Sequence, residues 1–134
     1  MSEKVLKLEI VTPEKKVLSK DIESLIVPGV EGYLGILPNH APLVAGLKVG
    51  AISYKEAGKT EQVAVSGGFL EVAKNQATIL ASTAEFAKDI DVERAKEAKH
   101  RAEERLKQKD NIDVHRAELA LARALARLKV SGRS

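Results

Sequence analysis

Through the first half of the chain, apolar and polar positions alternate with a period of two; in the second half the period becomes helical. In LKLEI (6–10), Leu6, Leu8 and Ile10 point one way and Lys7 and Glu9 the other, as in a half-buried strand. AISYKEAGKTEQVAV (51–65) reads as two strands around a turn at Ala57–Lys59. GFLEVAKNQATIL (68–80) reads as two more around Lys74–Gln76. Strands at this spacing, with no helical pattern between them, predict an antiparallel β-sandwich or flattened barrel.

The second half predicts two helices. A near-repeat, DIDVERA (89–95) and NIDVHRA (111–117), places an aspartate at the start of each. Asp91 and Asp113 can accept hydrogen bonds from free first-turn N–H groups, and their charge suits the positive end of a helix dipole. The first helix is expected over Val92–Lys107, with Ala95, Ala98, Ala102 and Leu106 on one side, and QKDNI (108–112) breaks it. The second runs to about Lys129, with Ala117, Leu121, Ala124, Leu125 and Leu128 at helical spacing. The expected class is therefore α+β: a flattened antiparallel β-sandwich or barrel followed by an antiparallel helical hairpin. The alanine stripe buries little area, and helices of this length are marginal alone in water, so the hairpin should close weakly.

Turn punctuation marks the division. All four prolines and eight of the nine glycines precede Phe69. The change of grammar falls near 84–90, giving units 1–86 and 87–134. Charge divides the same way. Residues 1–84 balance nine basic against nine acidic side chains, whereas 85–134 hold thirteen against ten. From Leu119 onward Arg123, Arg127, Lys129 and Arg133 have no acidic counterpart, so this tip suits an acidic partner. Cysteine is absent, which removes disulfides and thiolate metal sites. No apolar run approaches the ~20 residues of a membrane span, and the N-terminus lacks a signal-peptide core. A cytosolic protein, or one peripheral to a membrane, is expected.

Antiparallel closure sets Arg94 beside Arg127 and position 98 beside Arg123. Arg101 follows Arg94 by seven residues on the same face, and Arg123 and Arg127 form an i, i+4 pair. Four guanidinium groups then gather near the start of the first helix. Without an anion they oppose closure; a phosphate chain reverses the sign, because arginine pairs with phosphate by charge-assisted, often bidentate bonds. The spacing equally fits arginines kept for solubility, with Glu97–Arg101 an ordinary i, i+4 pair. No G-x-x-x-x-G-K-[ST] loop occurs, and GVEGYLG is not a dinucleotide fingerprint. His40, His100 and His115 lack metal-ligand spacing, and no catalytic constellation stands out. The chain does not read as an enzyme.

Three ordered motifs resemble one family, the epsilon subunit of bacterial F-type, proton-translocating ATP synthases. EGYLGILPNHAPLV (31–44) is similar to its G-x-L-G-I-x-P-x-H-x-P-L stretch. VSGGFLEV (65–72) resembles its S-G-G-x-x-E-V strand pair. DIDVERA is similar to the I/L-D-x-x-R-A motif of ATP-binding members. The resemblance spans essentially the whole chain. It implies a sandwich of about ten strands and a helical hairpin, in a non-catalytic rotor subunit peripheral to the cytoplasmic face of the bacterial membrane. The implied partners are the gamma subunit, the c-ring and the catalytic alpha/beta hexamer, with the Glu31–Pro42 loop facing the ring. Extended helices are implied to block ATP hydrolysis, and folded ones to release it.

The family's ATP site maps onto Glu85, Asp91, Arg94, Ala95, Arg101, Arg123 and Arg127. On that mapping the arginines hold phosphates, while Glu85, Asp91 and Ala95 shape the adenosine end. ATP enters as a regulatory ligand, with the part of Mg2+ left open and no other cofactor or metal implied. Asp113 and Arg116, in the second copy of the motif, only start a helix. Arg123, Arg127 and Lys129 also suit an acidic segment of the beta subunit, so ATP and inhibition would compete. Two other readings stand beside this one. A stand-alone nucleotide-sensing module would not bind gamma. A nucleic-acid binder is opposed by the scarcity of aromatics and by ten acidic residues in the basic half.

Overall fold

The structure is a computed structural model, describing residues 4–108 and 113–132. Of the expected break at 108–112, Gln108 is described and caps the end of the first helix, while 109–112 and the basic residue Arg133 lie outside the described residues. Eight strands come first: β1 (Leu6–Val11), β2 (Lys16–Ile22), β3 (Ser24–Gly29), β4 (Gly32–Ile36), β5 (Leu43–Glu56), β6 (Lys59–Ala73), β7 (Gln76–Ala81) and β8 (Ala84–Phe86). A short 3₁₀ turn, Ala87–Asp89, leads into helices α1 (Val92–Lys107) and α2 (Val114–Ser131).

The strand order is β2-β1-β7-β6-β5-β3-β4, with β8 also on β6. Strands β5 and β6 are 14 and 15 residues long, and each serves both layers of the sandwich. Residues Gly68–Ala73 of β6 pair with β7, whereas Val63–Val65 pair with β8. The register between β5 and β6 skips Lys48 and Gly67, where one half gives way to the other. Counting both long strands twice gives ten segments (8 + 2), which reconciles eight strands with the ten implied by the resemblance. One pair departs from the antiparallel expectation: β1 and β7 run parallel, Lys7 opposite Gln76 through Val11 opposite Leu80. These segments are distant in sequence, so no hairpin imposes an antiparallel pairing on them.

The period-two reading of β1 matches its burial. Leu6, Leu8 and Ile10 are buried, Lys7 is exposed, and Glu9 is half-buried. With Leu25, Val27, Ile52, Val63, Leu70 and Ile79 they fill the space between the layers. The two expected turns are tighter than the sequence suggested. Only Ala57–Gly58 and Lys74–Asn75 lie outside the strands, all four at positive φ, as two-residue hairpin turns require.

Each helix starts at its own aspartate. Asp91 Oδ1 accepts from the Arg94 N–H at 3.1 Å, and Asp113 Oδ1 from the Arg116 N–H at 3.0 Å. On α1, Ala95 and Ala102 are buried, while Ala98 and Leu106 are half-buried. On α2 the expected stripe holds at Ala117, Ala124 and Leu128 but not at Leu125, which is 44% exposed. Ala126 and Val130 are buried instead, in a cluster with Ala51, Ala64 and Ile90 and with Val49 packed against it. The reason is that α2 buries two faces, one on α1 and one on the sandwich. A single-stripe reading accounts for only the first. At the far end of α2, Lys129 Nζ lies 5.7 Å from the centre of the Tyr33 ring, a cation–π contact to β4.

Gly68 sits where β6 changes partner, at φ +145, and a Cβ there would collide with the Leu80 carbonyl. Gly68→Ala is therefore expected to lower unfolding stability by about 2 kcal/mol or more in urea titrations. Glu9 ties three strands together. Its Oε2 lies 2.6 Å from Lys16 Nζ, and its Oε1 accepts from Gln76 Nε2 at 2.8 Å. The Lys16 ammonium bonded to it holds the Glu9 carboxyl below its ordinary value of 4.5. A depressed carboxylate stabilises the fold above its unfolded pKa, and that contribution is lost as pH falls through the folded value. Between about pH 5 and about pH 3 the thermal midpoint of the native chain should therefore fall further than that of Glu9→Gln.

Candidate functional site at the sandwich–hairpin junction

A cavity of about 350 Å³ opens where the last strand, the 3₁₀ turn and both helices meet. Glu85 reaches it from the middle of β8, which is fixed to β6 by the pairing of Glu85 with Ala64. Beyond the turn, Ile90 is buried between α2 and the sheet, which anchors the chain two residues before α1 begins. Asp89 and Asp91 flank that anchor and both line the cavity. Arg94, Ala95, Ala98 and Arg101 follow on one face of α1, and Arg127 enters from α2.

Six of the seven residues carried over by resemblance thus share one cavity: Glu85, Asp91, Arg94, Ala95, Arg101 and Arg127. Arg123 does not line it. It lines an adjoining crevice of about 10 Å³ that also includes Ser66, Thr83, Glu85 and Arg127. Arg123 and Arg127 share a helix face, but α2 lies on the sandwich, so the arginine one turn back meets β6 instead of α1. Asp89 was not singled out from the sequence. It precedes the helix cap, and only the 3₁₀ turn brings it to the rim.

The electrostatics differ from simple repulsion among arginines. Arg127 Nε donates to Glu85 Oε1 at 2.7 Å, and both side chains are about one-third exposed. The cavity lining carries three arginines against Glu85, Asp89 and Asp91, a formal sum of zero (3 − 3). The closed hairpin therefore carries its own compensation. Among the described residues, Arg94, Arg101 and Arg123 make no ion pair within 4 Å. The Glu97–Arg101 pair allowed by spacing is not formed either; Arg101 turns to the cavity. Asp91 is engaged at the start of α1 through its bond from the Arg94 N–H.

The volume lies at the lower end of the ~300–1,000 Å³ typical of small-molecule sites. Three larger hollows, of about 460, 500 and 650 Å³, contain no arginine. Among the described residues no cluster of His, Cys, Asp and Glu could hold a metal ion. Among the described residues no helix is long and apolar enough to cross a membrane.

Fold and site define a two-part protein, a β-sandwich carrying a helical hairpin with an arginine-lined cavity at the joint. The chain belongs to the ATP synthase delta/epsilon chain family. Residues 5–87 match the family's "beta-sandwich domain" and residues 88–132 its "long alpha-helix domain". Among relatives called ATP synthase epsilon chain, that of Desulforamulus reducens is 56% identical over 129 residues, covering 96% of this chain and 98% of the relative. The Halalkalibacterium halodurans chain is 55% identical over 130 residues, covering 96% and 98%. In structure, the fold is similar to a chain of the Euglena gracilis mitochondrial ATP synthase OSCP/F1/c-ring assembly. There the TM-score is 0.85 at 23% identity, over 99% of this chain and 84% of that one. A chain of the Tetrahymena thermophila mitochondrial central stalk and c-ring gives a TM-score of 0.63 at 15% identity, over 97% and 98%.

The Glu85–Arg127 pair joins the sandwich to α2, and a partly exposed pair contributes about 0.5–1 kcal/mol. Glu85→Gln should therefore raise local opening of α2 by roughly 2- to 5-fold, read as faster amide exchange from Ala124 to Val130, with β-strand amides unchanged.

Proposed function

We propose that this chain is the non-catalytic epsilon subunit of a bacterial F-type ATP synthase rotor, in which ATP at the junction cavity favours the folded hairpin. The sandwich, residues 1–86, joins gamma and the c-ring. The hairpin, residues 87–134, regulates: extended toward the alpha/beta hexamer it inhibits ATP hydrolysis, and folded it does not. This places the protein peripherally at the cytoplasmic face of the membrane. Support comes from full-length relatives that carry the epsilon-chain name and from neighbours of the same fold in rotary assemblies. The observation that carries the ATP reading is the convergence of Arg94, Arg101 and Arg127 with Glu85 and Asp91 on one cavity bounded by both units.

A ligand bridging the two units need not bind tightly to shift the balance. At a hundred times its dissociation constant it stabilises the bound form by ~2.7 kcal/mol. That is comparable to burying one large apolar side chain, and the seam between α2 and the sheet rests mainly on Val130, Ile90 and three alanines. Arg123, Arg127 and Lys129 are then shared between ATP in the folded state and an acidic beta segment in the extended one.

The test is isothermal titration with ATP, paired with hydrolysis assays on a reconstituted alpha/beta/gamma complex. Loss of a charge-assisted bond to phosphate is worth ~1.5–3 kcal/mol, so Arg94→Ala should weaken ATP binding about 10- to 100-fold. It should also shift the complex toward inhibition at a given ATP concentration. No heat from the native chain would end the sensor reading, while failure to bind gamma would end the rotor reading.

A further inference from the structure

The crevice beside the cavity holds two hydroxyl groups that the mapped ATP site does not use. Thr83 lies just before β8, and its N–H donates to Ser66 Oγ at 3.1 Å. Thr83 Oγ1 and Ser66 Oγ are 2.7 Å apart. The two side chains bring two hydroxyl protons to a single oxygen–oxygen contact, so one proton remains for an outside acceptor. No other hydrogen bond donated by either hydroxyl occurs among the described residues. Arg123, without an ion pair, lines the same crevice. Uncommitted hydroxyl and guanidinium donors facing one small space are suited to phosphate oxygens.

The Glu85–Arg127 ion pair separates this crevice from the cavity, since both residues line both spaces. At about 10 Å³ the crevice has room for about one water molecule and not for a phosphate. If Arg127 exchanges Glu85 for a phosphate oxygen, the wall is removed and the two spaces become one. We infer that Ser66 and Thr83, together with Arg123, form a subsite for the terminal phosphate of a nucleoside triphosphate, entered when the Glu85–Arg127 pair opens. The inference rests on the proposed ATP site and adds what would distinguish a triphosphate from a diphosphate there. Ser66 precedes the Gly67–Gly68 step at which β6 changes partner, so the backbone that forms the two-layer sandwich also sets the position of this hydroxyl.

The experiment titrates the full-length chain with ATP, ADP and AMP, comparing native protein with Ser66→Ala, Thr83→Val and Thr83→Ser. A hydrogen bond to an anionic phosphate oxygen is worth ~1.5–3 kcal/mol, so the first two variants should lose about 10- to 100-fold in ATP affinity. ADP and AMP affinities should change less than about 2-fold, and Thr83→Ser should bind ATP like the native chain. Equal losses for ATP and ADP would assign the pair a purely structural role and overturn the subsite. So would Ser66→Ala and Thr83→Val variants that bind ATP as tightly as a native chain that does bind it. A native chain that binds no ATP removes the underlying site and the subsite with it. Thermal unfolding of each variant shows whether the sandwich is intact, and Thr83→Val keeps the backbone bond to Ser66 if Ser66→Ala fails to fold.

Discussion

Among the described residues, helix α2 is the only element in substantial contact with α1, and the docking of the hairpin on the sandwich depends on it. Its Ala126 and Val130 face rests on Ala51 and Ala64 of the sandwich, while its Ala117, Ala124 and Leu128 lie buried on the remaining side with Ala95 and Ala102 of α1. Small side chains let the helices approach closely but bury little area each, so the docking is specific in register and modest in strength. A core of large aliphatics, as in the sandwich, would make the arrangement permanent. The contrast between Leu6, Leu8, Ile10, Ile52 and Ile79 inside the sandwich and alanines at the seam separates a heavily packed platform from a thinly packed attachment.

Electrostatics at the joint act together with that modest packing. Glu85 neutralises Arg127 across the boundary, and Asp89 and Asp91 balance Arg94 and Arg101 in number. Closure without a bound anion is therefore tolerated and not opposed, as arginine repulsion alone would have it. On the proposed reading, a triphosphate would compete with Glu85 for Arg127 and would have to supply more than a single partly exposed ion pair gives. On that reading the three cavity arginines and the N-terminus of α1, with Arg123 in the adjoining crevice, would make that exchange favourable.

Much of this was legible in the sequence because it is written in local patterns. Period-two alternation located β1, and turn residues located both two-residue hairpins. Paired aspartates fixed both helix starts to the residue, at Val92 and Val114. What stayed hidden depends on contacts between distant segments. The parallel pairing of β1 with β7 has no turn to announce it. Leu125 looks like a core residue and Ala126 like filler until α2 is seen to face the sheet as well as α1. Arg123 falls in the crevice, and Asp89 reaches the cavity, because of how α2 and the 3₁₀ turn sit on β6 and β8, which no spacing rule encodes. Ser66 and Thr83 are seventeen residues apart and meet only through strand pairing.

The near-repeated phrase at the two helix starts has a mechanical consequence. Each aspartate bonds an amide three residues ahead in its own helix, so neither cap relies on a partner across the fold. Undocking would break interhelical and sheet contacts but leave both initiation sites whole. On the proposed reading, each segment keeps its own starting point when it leaves the sheet, so a helix that frays in water regrows from its cap without help from a partner.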